Sequence, residues 1–324
     1  VTNTPSTYRA AGVDRDVAGE AKERIARLAR TTFTPDVLND IGLFGSAFRV
    51  SGFRDPVLIS HTDGVGTKLK IAVQMGVLDT VGEDLVHHCV NDILTCGARP
   101  LFFLDYMGFG TLTPERAEAV ATGLTRACRA LGCALIGGET AQMPGVYHGD
   151  DFDLVGFVVG AVERGEMIDG ARIAAGDALV GLPSSGLHTN GYSLVRRLFN
   201  TDADPSALRR VYPELGKTLG EVLLTPHLCY EPVLRPVMRQ IKGMAHITGG
   251  GLLENTPRVM PKGLAAHFDA RTWEVPPIFR LIQRVGRIED REMHRVFNMG
   301  IGMVLMVAEG DVAAVLRAVP EARV

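Results

Sequence analysis

Between Gly82 and Val162 the chain alternates helical and strand periodicity, and this alternation narrows the possible folds more than any other feature. From Gly82 to Cys96, Leu85, Val86, Cys89, Val90, Ile93 and Leu94 recur at the i, i+4 spacing of an amphipathic helix that buries a broad stripe. An apolar strand follows, Leu101-Phe102-Phe103-Leu104. Thr113 as N-cap and Pro114 at the first helical position then start a helix that ends at Gly132, ahead of a strand from Cys133 to Ile136. Leu154 to Val162 reads as another strand, whose glycines allow bends or close packing. The pattern predicts an α/β (α+β) chain.

Length and composition then bound the organisation. The 324 residues suffice for two domains, and 46% hydrophobic content supplies a core for each. The charged, glycine-punctuated passage Glu163 to Asp177 separates the first series of elements from a second that starts with the strand Ala178-Leu179-Val180-Gly181-Leu182. The boundary is expected near residue 170, giving domains over 1–170 and 171–324. A charged helix is expected over residues 15 to 30, a helix from Leu194 to Phe199, a Pro-rich loop from Pro226 to Pro236 and a helix-like passage from Val275 to Val285. A buried strand from Gly302 to Val307 and a helix from Asp311 to Val319 complete the reading.

A formal net charge of -3 and the lack of any Lys/Arg block exclude a global basic field for nucleic acid or a membrane surface. No apolar run reaches the length of a membrane span, and the start, Val1 to Arg9, is polar, so a cytoplasmic protein is expected. The five cysteines lack zinc-site spacing and read as reduced, mostly buried thiols.

The chemistry concentrates in a few segments. His61-Thr62-Asp63-Gly64-Val65-Gly66-Thr67-Lys68 follows the strand-like run Val57-Leu58-Ile59, and its glycines let backbone N–H groups approach an anion beside a carboxylate, a hydroxyl and an ammonium. Its glycine spacing matches neither the Walker A loop nor the dinucleotide fingerprint, and a tight turn between strand and helix is the alternative. Asp63, Asp92 and Glu139 each lie near the end of an element beside small or polar residues. Separated carboxylates of this kind suit Mg²⁺, which prefers hard oxygens and shares them with nucleotide phosphates; each acid alone could equally be an N-cap or an ion-pair partner. In the second half, Ser184, Ser185, Gly186, His188, Thr189 and Asn190 precede an apolar helix and form a candidate anion cradle, with capping of that helix as the alternative. His246, Thr248 and the run Gly249-Gly250-Gly251 form a second; three glycines in a row are costly to order, which favours close ligand approach.

Taken together these segments resemble the aminoimidazole ribonucleotide synthetase (phosphoribosylformylglycinamidine cyclo-ligase) family, a branch of an ATP-binding superfamily. The resemblance runs from Tyr8-Arg9-Ala10-Ala11-Gly12-Val13-Asp14 through His61 to Lys68, Cys89 to Asp92, Pro100 to Tyr106, Gly137 to Gly149, Ser184 to Arg196 and His246 to Pro261, ending at Phe297-Asn298-Met299-Gly300-Ile301-Gly302. It implies two domains: an amino-terminal one whose strands form a barrel across a homodimer, and a carboxy-terminal α/β sandwich. It also implies an ATP-dependent ring closure of formylglycinamidine ribonucleotide to 5-aminoimidazole ribonucleotide, with ADP and phosphate released and ATP bound between the domains.

By the same resemblance Asp63, Gly64, Gly66, Thr67, Lys68, Asn91, Asp92, Gly137, Gly138, Glu139 and Thr140 serve the nucleotide. Asp63, Asp92 and Glu139 hold Mg²⁺; Asp92, His188 and His246 are the catalytic candidates; and the loops Ser184–Asn190 and Thr248–Gly251 hold the substrate. Two departures stand out. Arg24-Ile25-Ala26-Arg27 lacks the lysine that some relatives carry after Arg-Ile, and relatives usually continue through a further strand or two where this chain stops at Val324, for which a trimmed last domain is expected, with a naturally short end as the alternative. The rivals are superfamily members, namely the glutamine-dependent amidine synthetase, thiamine-phosphate kinase and selenophosphate synthetase, and a non-catalytic nucleotide-binding dimer. The first should be longer or need partner subunits; selenophosphate synthetase should carry a reactive Cys near its start, whereas Cys89 is the first here.

Overall fold

Local signals place the first helix. Asp14 caps α1 (Arg15–Arg30), its side chain accepting from the backbone N–H groups of Asp16 and Val17. The computed structural model describes residues 7–324, so most of the polar start lies outside the described residues. Then come β1 (Pro56–Gly64), α2 (Lys68–Met75), α3 (Asp79–Leu94), β2 (Arg99–Phe109), α4 (Pro114–Ala130), β3 (Ala134–Gln142) and β4 (Phe152–Glu163). Thr113 caps α4 by accepting from the Arg116 N–H.

The four strands form one sheet in the order β1-β4-β2-β3. β2 runs parallel to β3 and antiparallel to β4, and β1 runs antiparallel to β4. Helices α3 and α4 lie together on one face, and two glycines set their separation. A Cβ on Gly123 would fall 1.8 Å from the Asp79 carbonyl oxygen, and one on Gly82 would fall 2.3 Å from that of Val120. Pleating sends alternate residues to opposite faces. Val57 and Ile59 therefore meet the helices with the core, while Leu58 and Phe157 on the other face remain 56% and 38% exposed.

The second half contains β5 (Ala178–Pro183), α5 (Tyr192–Phe199), β6 (Ile241–His246) and β7 (Ile301–Val307). Its sheet is antiparallel in the order β5-β7-β6, with β7 wholly buried at the centre. Met303 and Leu305 pack with Val180 and Leu182 on one face, and Val304 and Met306 pack with Ala245 on the other. The strand β6 lies where the sequence shows only a lead-in to a glycine loop, and the Pro-rich stretch contains a short helix, Glu231–Leu234. One core spans the two halves: Leu187, Tyr192 and Val195 pack with Leu69 and Leu85 in the same cluster.

Candidate functional site

Strand parity builds the first wall of the site. His61 and Asp63 are two apart on β1 and so share the helix-facing side of the sheet, where α3 crosses. His88 and Asp92 stand one turn apart on α3 and complete that wall. The second half supplies His188 and Thr189 from the loop after β5, His246 at the end of β6, and His227 from the loop before Glu231–Leu234.

Direct contacts join these groups. His88 Nε2 donates to Asp63 Oδ2 at 2.9 Å, and its Nδ1 lies 2.9 Å from the Thr189 hydroxyl. His246 Nδ1 lies 2.9 Å from Asp92 Oδ1, and its Nε2 lies 3.3 Å from Nε2 of His227. His188 stacks on His227 at 3.7 Å between ring centroids, with its backbone at a φ of 59°, in the left-handed region that a buried histidine adopts only when its surroundings impose it. Burial pushes the carboxyls of Asp63 and Asp92 up, but the imidazoles around them outweigh it and hold both well below the usual carboxylate range. Asp63 and Asp92 together raise His61 to about 9. Burial, joined by the neighbouring rings, keeps His188 and His227 well below the ordinary histidine value.

The nitrogens of His188, His227 and His246 lie close enough together for a metal, yet the geometry argues against one there. A metal sits in the plane of each imidazole that binds it, and the His188 and His227 planes are only 26° from parallel while stacked. The donor set of His61, Asp63 and Asp92 has no such obstacle and fits a divalent cation.

The remaining predicted residues divide. Lys68, expected at a phosphate, is fully buried in the first turn of α2, its ammonium 2.7 Å from Asp84 and donating to the Thr225 carbonyl at 2.9 Å. Asn91, expected at the nucleotide, is fully buried and spans the two halves, donating to the Leu228 carbonyl and accepting from the Tyr230 N–H. Glu139, expected beside Asp63 and Asp92, is brought near neither. It lies on β3, three strands from β1, or about 14 Å at the usual spacing, and register parity turns it to the other face. It pairs loosely with Lys22 at 3.8 Å.

Glu139 instead borders a cavity of about 170 Å³ between α1 and β3, lined also by Gly137, Gly138, Thr140, Ile25 and Asp105. Asp105 is buried, and desolvation raises its carboxyl to about 7. Gly138 leaves it room, since a Cβ there would fall 2.4 Å from the Asp105 Oδ1. A second cavity, of about 270 Å³, adjoins the histidine cluster and is lined by Asp92, Thr95, His246, Asn255 and Arg258.

The loops of the second half are held by their own residues. Ser184 donates to Asn298 Oδ1 and Ser185 to the Pro226 carbonyl, while Asn298 Nδ2 binds the Gly186 carbonyl. The Asn255 amide spans the carbonyls of Gly249 and Gly251, and Thr248 reaches Asn255 Oδ1 at 3.4 Å. The two loops meet where the Asn190 Oδ1 stands 3.3 Å from the position of a Gly249 Cβ. Thr67, between Gly66 and Lys68 in the glycine-rich segment after β1, touches Ser193 at 3.0 Å, joining that segment to α5. His61 opens the glycine-rich segment of the sequence but has no role assigned there, and His88 stands at i−4 from Asp92 on a predicted helix; His227 and Asp105 carry no local signal.

Residues 50–162 match the AIR synthase related protein N-terminal domain, and residues 174–324 match the AIR synthase related protein C-terminal domain. The fold and the matches together define an AIR synthase related protein. The phosphoribosylformylglycinamidine cyclo-ligase of Desulfitobacterium hafniense is 52% identical over 310 residues, covering 94% of this chain and 90% of its own length. That of Caldicellulosiruptor bescii is 51% identical over 322 residues, covering 98% and 94%. The chain belongs to the phosphoribosylformylglycinamidine cyclo-ligase family. The fold also matches the thiamine-monophosphate kinase of Stenotrophomonas maltophilia, with a TM-score of 0.64 at 20% identity over 94% of this chain and 91% of that one.

Proposed function

We propose that this chain closes the imidazole ring of phosphoribosylformylglycinamidine in an ATP-dependent reaction that yields 5-aminoimidazole ribonucleotide, ADP and phosphate. One observation carries the reading: in a chain alignable nearly end to end with cyclo-ligases, Asp63 and Asp92 of the first half meet His188, Thr189 and His246 of the second in a single cluster. The γ-phosphoryl group passes to the formyl oxygen. An amidine nitrogen then attacks that carbon and loses a proton, the carbon–oxygen bond breaks, and phosphate leaves with the electron pair. Such chemistry needs alignment and charge neutralisation more than a protein nucleophile.

Asp63 and Asp92 are the residues we assign to Mg²⁺, whose contribution when bound is to neutralise phosphate charge. Gly137, Gly138, Glu139 and Thr140 line a cavity of a size for part of the nucleotide, and we assign Glu139 there rather than to the metal. Gly64, Gly66 and Thr67 offer backbone and hydroxyl donors next to Asp63. Ser184 to Asn190 and Thr248 to Gly251 border the substrate, with His188 and His246 placed to orient it or move a proton. Lys68 and Asn91 hold the two halves together behind this wall.

The exposed apolar face of the first sheet, with Leu58 and Phe157, supports a homodimer that pairs these faces, and residues 1–170 would be its nucleotide-binding and dimerising domain. Among the described residues no helix is long and apolar enough to cross a membrane, and we place the enzyme in the cytoplasm. Asp63→Asn and Asp92→Asn should each lower turnover with ATP and phosphoribosylformylglycinamidine by about 100-fold or more while circular dichroism stays native. Unchanged turnover in both variants would remove these carboxylates from the reaction.

A further inference from the structure

His61 stands at the mouth of the cluster, half-buried on β1, and its Nε2 is buried without a hydrogen-bond partner. Two carboxylate oxygens nonetheless flank that nitrogen, Asp92 Oδ2 at 3.0 Å and Asp63 Oδ2 at 3.5 Å. Neither contact has the direction of a hydrogen bond, which weakens steeply once the donor axis leaves the acceptor. The carboxylates draw their hydrogen bonds from elsewhere. Asp63 accepts from His88 Nε2 at 2.9 Å and from the Gly64 N–H at 2.7 Å, and Asp92 accepts from His246 Nδ1 at 2.9 Å.

A nitrogen 3.0 and 3.5 Å from two carboxylate oxygens, with no hydrogen bond directed along either gap and all three atoms within 4.8 Å of one another, is close to the spacing of neighbouring ligands on one cation. Bonds of about 2.1 Å meeting at right angles put adjacent ligand atoms about 3.0 Å apart. His88 Nε2, which donates to the same Asp63 Oδ2 and stands 3.4 Å from Asp92 Oδ2, and His246 on the other oxygen of Asp92 supply the outer hydrogen bonds that ligating carboxylates receive. The neighbouring His188, His227 and His246 trio lacks this convergence, for its stacked rings cannot aim at one point.

We infer that His61 is a third protein ligand of the cation held by Asp63 and Asp92, and that its nitrogen tilts the site toward first-row transition cations over magnesium. Magnesium keeps to hard oxygen ligands, whereas imidazole binds the transition ions well. The neutral ring is the ligand form, so cation entry displaces any proton on His61. The inference rests on the assignment of Asp63 and Asp92 as metal residues, and the test uses the metal alone so that turnover plays no part in it.

The whole chain, free of nucleotide, is titrated with Mn²⁺ and followed by electron paramagnetic resonance, with Mg²⁺ as competitor. The wild type should bind Mn²⁺ at least about tenfold more tightly than Mg²⁺, and pulsed spectra should show coupling to an imidazole ¹⁴N nucleus. His61→Gln and His61→Ala should lose that coupling and weaken Mn²⁺ binding by about tenfold or more, leaving Mg²⁺ affinity nearly unchanged. Equal affinity for the two ions in the wild type, or the same nitrogen coupling and Mn²⁺ affinity in both His61 variants, overturns the inference. If Asp63→Asn and Asp92→Asn abolish Mn²⁺ binding while the His61 variants do not alter it, the carboxylate assignment stands and the role of His61 falls. If the Asp variants bind as the wild type does, the carboxylate assignment falls with it.

Discussion

Replacing Lys68 by methionine separates a structural role from a phosphate-binding one. Both Lys68 and Asp84 are fully buried, 2.7 Å apart. Burial pushes the Lys68 ammonium down and the Asp84 carboxyl up, and each partner's charge resists the shift of the other. Asp84 Oδ1 also accepts from the His227 N–H at 2.7 Å, and the Lys68 ammonium reaches the Thr225 carbonyl, so this pair pins the loop of the second half against α3. Lys68→Met leaves Asp84 uncompensated in the interior, a loss of about 3–5 kcal/mol. Against a total stability of about 5–15 kcal/mol this is a large fraction, and it corresponds to a melting midpoint lower by about 4–7 °C. Lys68→Met combined with Asp84→Leu removes both charges and should recover most of the loss, because a buried pair replaced by apolar groups is often close to neutral. Differential scanning calorimetry of the three variants measures this directly. A Lys68→Met protein that melts within about 1 °C of the wild type but binds ATP far more weakly would refute the structural role. A double variant no more stable than the single one would refute the pairing.

Other perturbations follow from particular contacts. Asp105 is a carboxyl whose folded-state pKa is raised from 3.8 to about 7, so folding favours its protonated form. Its penalty is absent below pH 3.8 and grows as pH rises to about 7, to an order of 4 kcal/mol at most, so Asp105→Asn should gain stability at pH 8 and little at pH 4. Equal gains at both pH values would contradict the burial argument. Gly123→Ala forces a Cβ into the Asp79 carbonyl oxygen and should cost about 1–3 kcal/mol in urea unfolding; a neutral substitution would show that α3 and α4 part easily. Leu58→Arg should shift sedimentation from dimer to monomer if the open sheet face is the pairing surface, and an unchanged sedimentation coefficient would place any dimer contact elsewhere.

Much of this architecture could be read from local pattern. Thr113 with Pro114, and the stripe from Leu85 to Leu94, announce their helices because capping and amphipathic period are properties of neighbouring residues. Asp63 and Asp92 were singled out for the same reason, since glycines and element ends mark them in the sequence. Glu139 shows where local reading ends: Gly137-Gly138-Glu139 reads as a loop, but β2 extends the strand through it, and the pleat then turns the carboxylate away from Asp63. Lys68 has the surroundings of a phosphate ligand, and its burial follows from Asp84, sixteen residues on, which no short motif reports. His227 lies in a Pro-rich stretch without periodicity, and only the packing of that stretch on α3 brings it to His246. β6 escaped notice because Lys242 and Gly243 interrupt its apolar run, and it is buried through pairing with β7.

The most direct test of the central claim mixes the protein with Mg-ATP and phosphoribosylformylglycinamidine and follows ADP and 5-aminoimidazole ribonucleotide in the same reaction. The account predicts that both appear together, in equal amounts, and only when both substrates are present. ADP without the ring product, or no substrate-stimulated turnover by the folded protein, would contradict it.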